Sequence, residues 1–113
     1  MTHRMKLQKE PFEKIKRGEK TVEMRLYDEK RSKIAVSDEI LFTLCGEDET
    51  LCCKVVNIYR FSSFSELYAA IPLADLGYTG DGAVTASPRD MEQYYSASDI
   101  EKYGVVGIQI KLK

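Results

Sequence analysis

The stretch KTVEMRLY, residues 20–27, alternates between polar and apolar side chains from Thr21 onward. Such alternation predicts a β-strand with one buried face, because successive side chains of a strand point to opposite sides. The side chains expected to face the core are Val22, Met24 and Leu26. The opposite face is predicted to be exposed and to carry four polar side chains, Thr21, Glu23, Arg25 and Tyr27. Neighbouring side chains on that face lie about 7 Å apart, which is close enough for them to contact one ligand together.

The residues before this strand predict another strand and a short helix. Residues 5–9 alternate in the same way and are predicted to form the first strand. A helix is expected over residues 11–17, because Pro11 suits a first helical position and Gly18 suits a helix end. The chain would therefore begin with a strand, a helix and the strand at residues 20–27.

The residues after this strand predict three more strands. A polar turn is expected at residues 28–33. Residues 39–45 and 50–60 are predicted to pair as a β-hairpin, because the turn-forming residues 46–49 separate them. The apolar residues 105–112 are predicted to form the last strand.

Capping patterns between the hairpin and the last strand predict helices. Ser63-x-x-Glu66 is a capping box that opens one helix, and Ser87 with Pro88 opens a second helix over residues 88–95. Ser96-x-x-Asp99 predicts a brief helical turn. Residues 73–86 form a segment longer than most loops of compact domains, which is predicted to be a functional loop or lid.

The order of these elements predicts an α+β fold. About five strands, mostly joined by hairpins, suit a small closed or half-closed β-barrel with short helices at its ends. The 113 residues are expected to form one domain, since 43% of them are hydrophobic and domains commonly run about 50–200 residues. Apolar runs are too short to span a membrane, so no membrane partner is expected.

Charge is distributed unevenly along the chain. Residues 1–34 carry eleven Lys and Arg against six acidic residues, a net charge of +5. Residues 35–113 carry six basic and twelve acidic residues, a net charge of −6. This asymmetry indicates one face that attracts anions, with nucleic acid the leading candidate, although a solvated surface of mixed sign would show the same totals.

The sequence lacks the residues that several classes of catalytic or binding site require. The single histidine, His3, lies near the chain start, where disorder is common, so no histidine base or histidine zinc site is expected. Cys45, Cys52 and Cys53 lack zinc or disulfide spacing and are expected to be ordinary thiols of a reduced, cytoplasmic protein. The glycine-rich residues 77–82 lack the lysine of a phosphate loop and predict a flexible turn.

The polar face of residues 20–27 has side chains that suit a nucleotide. Arg25 suits recognition of a phosphate or carbonyl group, and Tyr27 can stack on a base. Glu23 could accept a base amino group or hold a metal, and Lys20 could serve as a general base if it is desolvated. The same residues are also compatible with an exposed strand that carries only a Glu23–Arg25 ion pair.

The chain resembles the ASCH domain family, the activating signal cointegrator homology domains. The resemblance rests on Pro11-Phe12-x-x-Ile15, Gly18-x-Lys20-Thr21-x-Glu23-x-Arg25, Tyr27-x-x-Lys30-Arg31-x-x-Ile34, Met91-x-x-Tyr94-Tyr95-Ser96 and Tyr103-Gly104-Val105-x-Gly107-Ile108. It implies a PUA-like fold, which is a small β-barrel flanked by helices with a cleft beside the strand at residues 20–27. Relatives of this fold bind RNA or modified nucleobases.

The resemblance also implies two activities. Some family members are reported as single-stranded RNA ribonucleases, and a related branch hydrolyses N4-acetylcytidine with a lysine, a threonine and a glutamate. Lys20 matches that lysine, but Glu23 stands where the branch has threonine, and Glu66 is the nearest candidate for its glutamate. A carboxylate at position 23 would repel a developing oxyanion, so hydrolysis of N4-acetylcytidine is expected to be poor.

The expected function is therefore binding of single-stranded RNA or a modified pyrimidine nucleoside, with RNA cleavage as a further activity. The expected catalytic residues are Lys20, Tyr27, Lys33 and Ser96. The residues expected to bind the substrate are Thr21, Glu23, Arg25, Lys30 and Arg31. No cofactor is expected, although a divalent metal such as Mn²⁺ stays open. One alternative is an amidohydrolase, and another is a non-catalytic protein-interaction module with an exposed surface formed by Tyr94, Tyr95 and Tyr103.

Overall fold

The computed structural model describes residues 1–113, except the side chains of Asp81 and Val84. Its elements are β1 (Thr2–Leu7), α1 (Lys9–Lys16), β2 (Val22–Leu26), a 3₁₀ turn (Arg31–Lys33), β3 (Glu39–Leu44), β4 (Thr50–Phe61), α2 (Phe64–Ala70), α3 (Asp81–Thr85), α4 (Arg89–Glu92), α5 (Ala97–Tyr103) and β5 (Val105–Leu112). The sheet has five strands in the order β1-β3-β4-β5-β2 and curls into a half-barrel. The α+β prediction is confirmed.

The pairing of the strands places β1 and β2 at the two edges of the sheet. β1 runs parallel to β3, whereas the other neighbouring pairs are antiparallel. The predicted hairpin is confirmed as β3 and β4, joined through Gly46, whose φ of 78° suits glycine. A bulge between Val55 and Asn57 interrupts the β4–β5 ladder, and bulges increase the local bend of a sheet.

Apolar side chains cover both faces of the curled sheet. Met5, Phe42 and Val106 belong to the core inside the curl. Val22 and Met24 belong to a second core on the other face, beneath α2. Gly107 of β5 lets α2 approach, because a Cβ there would lie 2.9 Å from Ile71 Cδ1 and 3.2 Å from Val22 Cγ1. The residues predicted to face the core from β2 are buried, as expected.

Side chains bridge the open side of the half-barrel. The free edge of β1 points toward the β2 side, where Arg25 Nη2 donates to Lys6 O at 2.8 Å and Lys30 Nζ donates to Arg4 O at 2.7 Å. At the start of β2, Val22 N donates to Asp75 O at 2.9 Å. Backbone polar groups at both edges thus find partners without a β1–β2 ladder.

Predicted boundaries near the N-terminus were wrong by a few residues. β1 begins at Thr2 instead of residue 5, and His3 is a buried residue of this strand, with Nε2 2.8 Å from Asp38 Oδ2. The pairing with β3 extends the strand, and a long-range partner of this kind leaves no local sequence signal. α1 begins at Lys9, which makes Pro11 its third residue; Pro is tolerated there because first-turn N–H groups lack helical partners.

The helical predictions between β4 and β5 had mixed outcomes. Ser63 and Ser96 cap α2 and α5 as predicted, accepting from Glu66 N at 3.2 Å and Asp99 N at 3.1 Å. The helix expected over residues 88–95 is only α4, and the brief turn expected after Ser96 is the seven-residue α5. Residues 73–86 are not a single open loop, because they include α3 and the buried Leu76.

Candidate functional site

The polar face of β2 is buried, which corrects the expectation that it is exposed. Glu23 is 4% exposed and the Arg25 side chain is 14% exposed. In the antiparallel register Glu23 lies beside Ile108 and Arg25 beside Val106, so both side chains share the face that lines the inside of the curl. The curl of the sheet covers this face, and alternation within one strand carries no information about that curvature.

Glu23 lies at the centre of a buried charged row, which consists of Lys20, Glu23 and Arg25. Its Oε1 lies 3.3 Å from Lys20 Nζ and accepts from Met24 N at 3.2 Å. Its Oε2 accepts from Arg25 Nη2 at 2.9 Å and Nε at 3.1 Å. Burial alone would raise the pKa of Glu23, but the charges and hydrogen bonds of Lys20 and Arg25 bring its pKa below the usual 4.5. Glu23 therefore stays ionised and joins two cations.

Lys20, at one end of this row, lies at the floor of a cleft. The cleft, called here the Lys20 cleft, has a volume of about 210 Å³ and lies between α1, residues 76–78 and α4. Its lining is Glu10, Pro11, Lys14, Lys20, Met24, Leu76, Gly77, Tyr78, Asp90, Met91, Gln93 and Tyr94. Lys20 Nζ also lies 3.3 Å from Leu76 O, so two acceptors hold the ammonium group in place.

Residues 76–78 pack tightly on Lys20. Gly77 has a φ of 97°, and a Cβ at this position would lie 3.3 Å from Lys20 Cβ. Both the backbone angle and the close approach favour glycine. Lys14 Nζ donates to Gly77 O at 2.8 Å, which ties α1 to this segment. The cleft therefore has walls fixed by hydrogen bonds.

Tyr78 and Asp90 of the cleft lining belong to a hydrogen-bonded chain that continues behind the cleft to Tyr68 of α2. The hydroxyl groups of Tyr68 and Tyr78 are 2.6 Å apart, and Tyr78 Oη donates to Asp90 Oδ2 at 2.7 Å. Burial, followed by the hydrogen bonds with Tyr68 and Asp90, raises the pKa of Tyr78 well above 10. The phenol is therefore neutral at physiological pH and can serve as the donor to Asp90.

The other predicted site residues lie in different places. Thr21 lines a cavity of about 300 Å³ that also contacts Lys20. Lys30 and Lys33 line a third cavity, of about 420 Å³, beside His3. Tyr27 lies under Arg60, whose guanidinium carbon is 4.0 Å from the ring centroid. The residues that were predicted to contact one ligand together therefore lie on separate surfaces of the protein.

Three further candidates have local structural partners. Ser96 caps α5, and Arg31 Nη1 pairs with Asp28 Oδ2 at 2.9 Å. Glu66 accepts from the backbone N and the hydroxyl of Ser62, and it lines a groove other than the Lys20 cleft. Of the three tyrosines considered as an exposed surface, Tyr95 instead stacks on Phe64.

Sequence reasoning missed most of the cleft lining. Tyr78 stands in the segment that the sequence marked as a functional loop, and its length was the available signal. Asp90 lies within the helix predicted over residues 88–95, and no pattern in the sequence marked it as a site residue. Among the residues with described side chains, no group of three or more His, Cys, Asp or Glu could hold a metal ion. None of the helices described is both long and apolar enough to cross a membrane.

The profile of the ASCH domain matches residues 5–113. The chain belongs to the ASCH domain family. A comparison with curated proteins finds no match. Among solved structures, the ASCH chain is similar to the hypothetical protein PH0355, with 35% identity, a TM-score of 0.84 and 100% of both chains covered. It is also similar to protein PF0455 from Pyrococcus furiosus, with 31% identity, a TM-score of 0.70 and 99% and 97% of the two chains covered.

The family assignment agrees with the motifs that first indicated it. Lys20 and Glu23, both part of the ASCH-like motif, are in direct contact in the folded protein. Arg25, from the same motif, bridges the open side of the half-barrel. The motif therefore has a structural role at the edge of the sheet and, through Lys20, reaches the cleft.

Proposed function

We propose that this ASCH domain binds single-stranded RNA and receives one unpaired nucleobase in the Lys20 cleft. ASCH domains are generally RNA-binding. The observation that carries the proposal is the Lys20 ammonium group, held at the cleft floor by the buried carboxylate of Glu23. A fixed cationic donor in a small, partly apolar cleft suits a carbonyl oxygen or ring nitrogen of a base.

The composition of the cleft supports a base more than a phosphate. Tyr78, Tyr94 and Met91 provide aromatic and apolar surface, and Lys14 and Lys20 are balanced by Glu10 and Asp90. A phosphate would favour an excess of positive charge, whereas a base needs flat apolar walls and a few donors and acceptors. The volume of about 210 Å³ lies below the range of about 300–1,000 Å³ that holds drug-sized ligands. One base is therefore a fitting occupant.

Positive charge along the open side of the half-barrel supports contacts to the RNA backbone. Arg4 and Lys6 are exposed on β1, because they alternate there with buried residues. Lys30 joins them through its hydrogen bond to Arg4 O. These cations account for part of the +5 charge of residues 1–34. The backbone of a bound strand could follow this edge while one base enters the cleft.

The geometry favours binding over cleavage or amide hydrolysis. Both reactions need a general base, and the base expected from the sequence, Lys20, is held by the carboxylate of Glu23 and the carbonyl oxygen of Leu76. Glu23 is already occupied by Lys20, Met24 N and Arg25. Ser96 and Glu66, each expected to assist one of these reactions, serve helix caps or turns outside the cleft lining. The proposal is therefore a binding function.

Replacing Tyr94 by Ala tests this proposal. We expect the wild type to bind a fluorescein-labelled single-stranded decamer with an affinity that falls as salt rises, by about 0.7 log units per phosphate contact for each tenfold increase. Tyr94→Ala should weaken binding about tenfold, because a stacked ring contributes this much per base. The salt dependence should not change, since the ring contacts no phosphate. Fluorescence anisotropy at several salt concentrations gives both quantities.

A matched variant controls for the loss of a tyrosine. Tyr59 lies on β4, where its hydroxyl donates to Gln109 Oε1 at 3.0 Å, and it does not line the Lys20 cleft. Tyr59→Ala should bind as the wild type does. Equal weakening by both variants would contradict the location of the site. Absence of any salt-sensitive binding at micromolar protein would overturn the proposal and favour the protein-interaction alternative.

A further inference from the structure

We propose that Asp90 determines which base the Lys20 cleft accepts, by taking a hydrogen bond from an exocyclic amino group. The inference rests on the proposed function, since it concerns the base that enters the same cleft. It predicts a preference for cytosine or adenine, which present an amino group beside a ring acceptor, over uracil, which presents two carbonyl groups.

One carboxylate oxygen of Asp90 is held by donors of the protein, and the other is available to a ligand. Its Oδ2 accepts from Tyr78 Oη at 2.7 Å and from Ser87 N at 3.2 Å. No donor among the described residues contacts Oδ1. A carboxylate whose first oxygen has two partners keeps one orientation, so its second oxygen is ready for a ligand donor.

Tyr68 makes this orientation more rigid. Its hydroxyl lies 2.6 Å from that of Tyr78, and the two rings pack with centroids 5.8 Å apart. The raised pKa of Tyr78 keeps its hydroxyl protonated, and a neutral phenol can continue to donate to the carboxylate. The Tyr68–Tyr78–Asp90 chain therefore fixes an acceptor on the wall of the Lys20 cleft.

The other two carboxylates near the cleft are less suited to this role. Glu10 pairs through Oε1 with Lys14 Nζ at 3.2 Å, and its side chain is 78% exposed on the rim, where no second protein donor fixes its orientation. Glu23, which the sequence suggested as the reader of a base amino group, is buried behind Lys20 and accepts only from its own neighbours. The structure therefore moves that role from Glu23 to Asp90.

Lys20 and Asp90 together define the pattern of a suitable base. Both line the same small cleft, so one base edge could meet the ammonium donor and the carboxylate acceptor. Cytosine offers an amino donor for Asp90 and an oxygen or nitrogen acceptor for Lys20. Uracil would place its O4 oxygen against the carboxylate, and two acceptors repel each other.

Binding of labelled decamers of cytidine and of uridine tests the inference. At equal salt and pH 7.5, the wild type should bind oligocytidine about tenfold more tightly than oligouridine. Asp90→Asn should abolish or reverse the preference, because the amide oxygen would keep the bonds from Tyr78 and Ser87 N and the amide NH2 would donate to the O4 oxygen of uracil. Glu92→Gln removes a carboxylate from the same helix, α4, at an exposed residue that does not line the Lys20 cleft, and should keep the wild-type ratio. Thermal melting of each variant verifies that it is folded.

The outcomes separate this inference from the proposed function. If neither decamer binds, the proposed function fails and the inference fails with it. If the wild type binds both decamers equally, RNA binding stands and base selection by Asp90 is overturned. If Asp90→Asn keeps the preference for cytidine, RNA binding likewise stands and base selection by Asp90 is overturned. A lost or reversed preference in Asp90→Asn, with oligouridine still bound, supports the inference, because a variant that merely failed to fold would bind neither decamer.

Discussion

Replacing Glu23 by Gln should lower the free energy of unfolding by about 3–5 kcal/mol. The carboxylate joins Lys20 and Arg25 in a site where all three side chains are largely buried. A neutral amide leaves two buried cations without a counter-charge, and removing one partner of a buried ion pair has a cost of this size. The loss is large beside a total stability of about 5–15 kcal/mol for a domain. Urea unfolding followed by circular dichroism measures it.

The same change at an exposed ion pair serves as the control. Glu19 pairs with Arg17 on the surface, so Glu19→Gln should change stability by less than about 1 kcal/mol. A loss below about 1 kcal/mol for Glu23→Gln as well would contradict the account of Glu23 as the centre of a buried charged row.

The effect of Glu23→Gln should also depend on pH. The pKa of Glu23 is lower in the folded protein than its ordinary value of 4.5, so the unfolded chain takes up this proton at a higher pH. The stabilisation by Glu23 is therefore complete above about pH 4.5 and is lost as the pH falls through the folded-state pKa. The stability difference between the wild type and Glu23→Gln should accordingly shrink below about pH 4.5.

Replacing Lys20 by Met should weaken RNA binding by about ten- to a hundredfold, the usual effect of losing a hydrogen bond from a charged donor. Methionine keeps an unbranched side chain against Gly77 but removes the ammonium group from the cleft floor. Glu23 keeps Arg25 as its partner, so the fold should be disturbed less than by Glu23→Gln. Anisotropy titration gives the affinity, and thermal melting shows whether the variant is folded.

Lys54→Met is the matched control for this change. Lys54 is exposed on β4 and does not line the Lys20 cleft, yet its loss changes the net charge equally. A decrease for Lys20→Met no larger than that for Lys54→Met would show that Lys20 acts only through its contribution to the overall charge.

The alternation of residues 20–27 predicted β2 and its core face correctly, because a period of two residues is a local property of one strand. It could not predict that Glu23 and Arg25 also become buried. Their burial follows from the curl of the sheet and from the approach of β1, which is distant in the sequence. His3 was misjudged for a similar reason, since its partner Asp38 lies 35 positions away.

The cleft was harder to predict than the strand that lies beneath it. Lys20 was identified because it belongs to a recognisable motif. Tyr78 and Asp90 meet only after residues 73–86 fold back on β2, and their hydrogen bond joins two segments without regular periodicity. Patterns of apolar spacing carry no signal for such contacts. The length of the segment indicated a functional region, but not its chemistry.

Chemical-shift mapping tests the central claim, that RNA binds in the Lys20 cleft. An oligocytidine decamer is titrated into ¹⁵N-labelled protein, and backbone amide shifts are followed. We predict that the largest changes occur at Leu76, Gly77, Met91 and Tyr94, which line the cleft. Changes confined to the groove formed by Ser62, Glu66 and Glu101, or no changes at all, would contradict the claim.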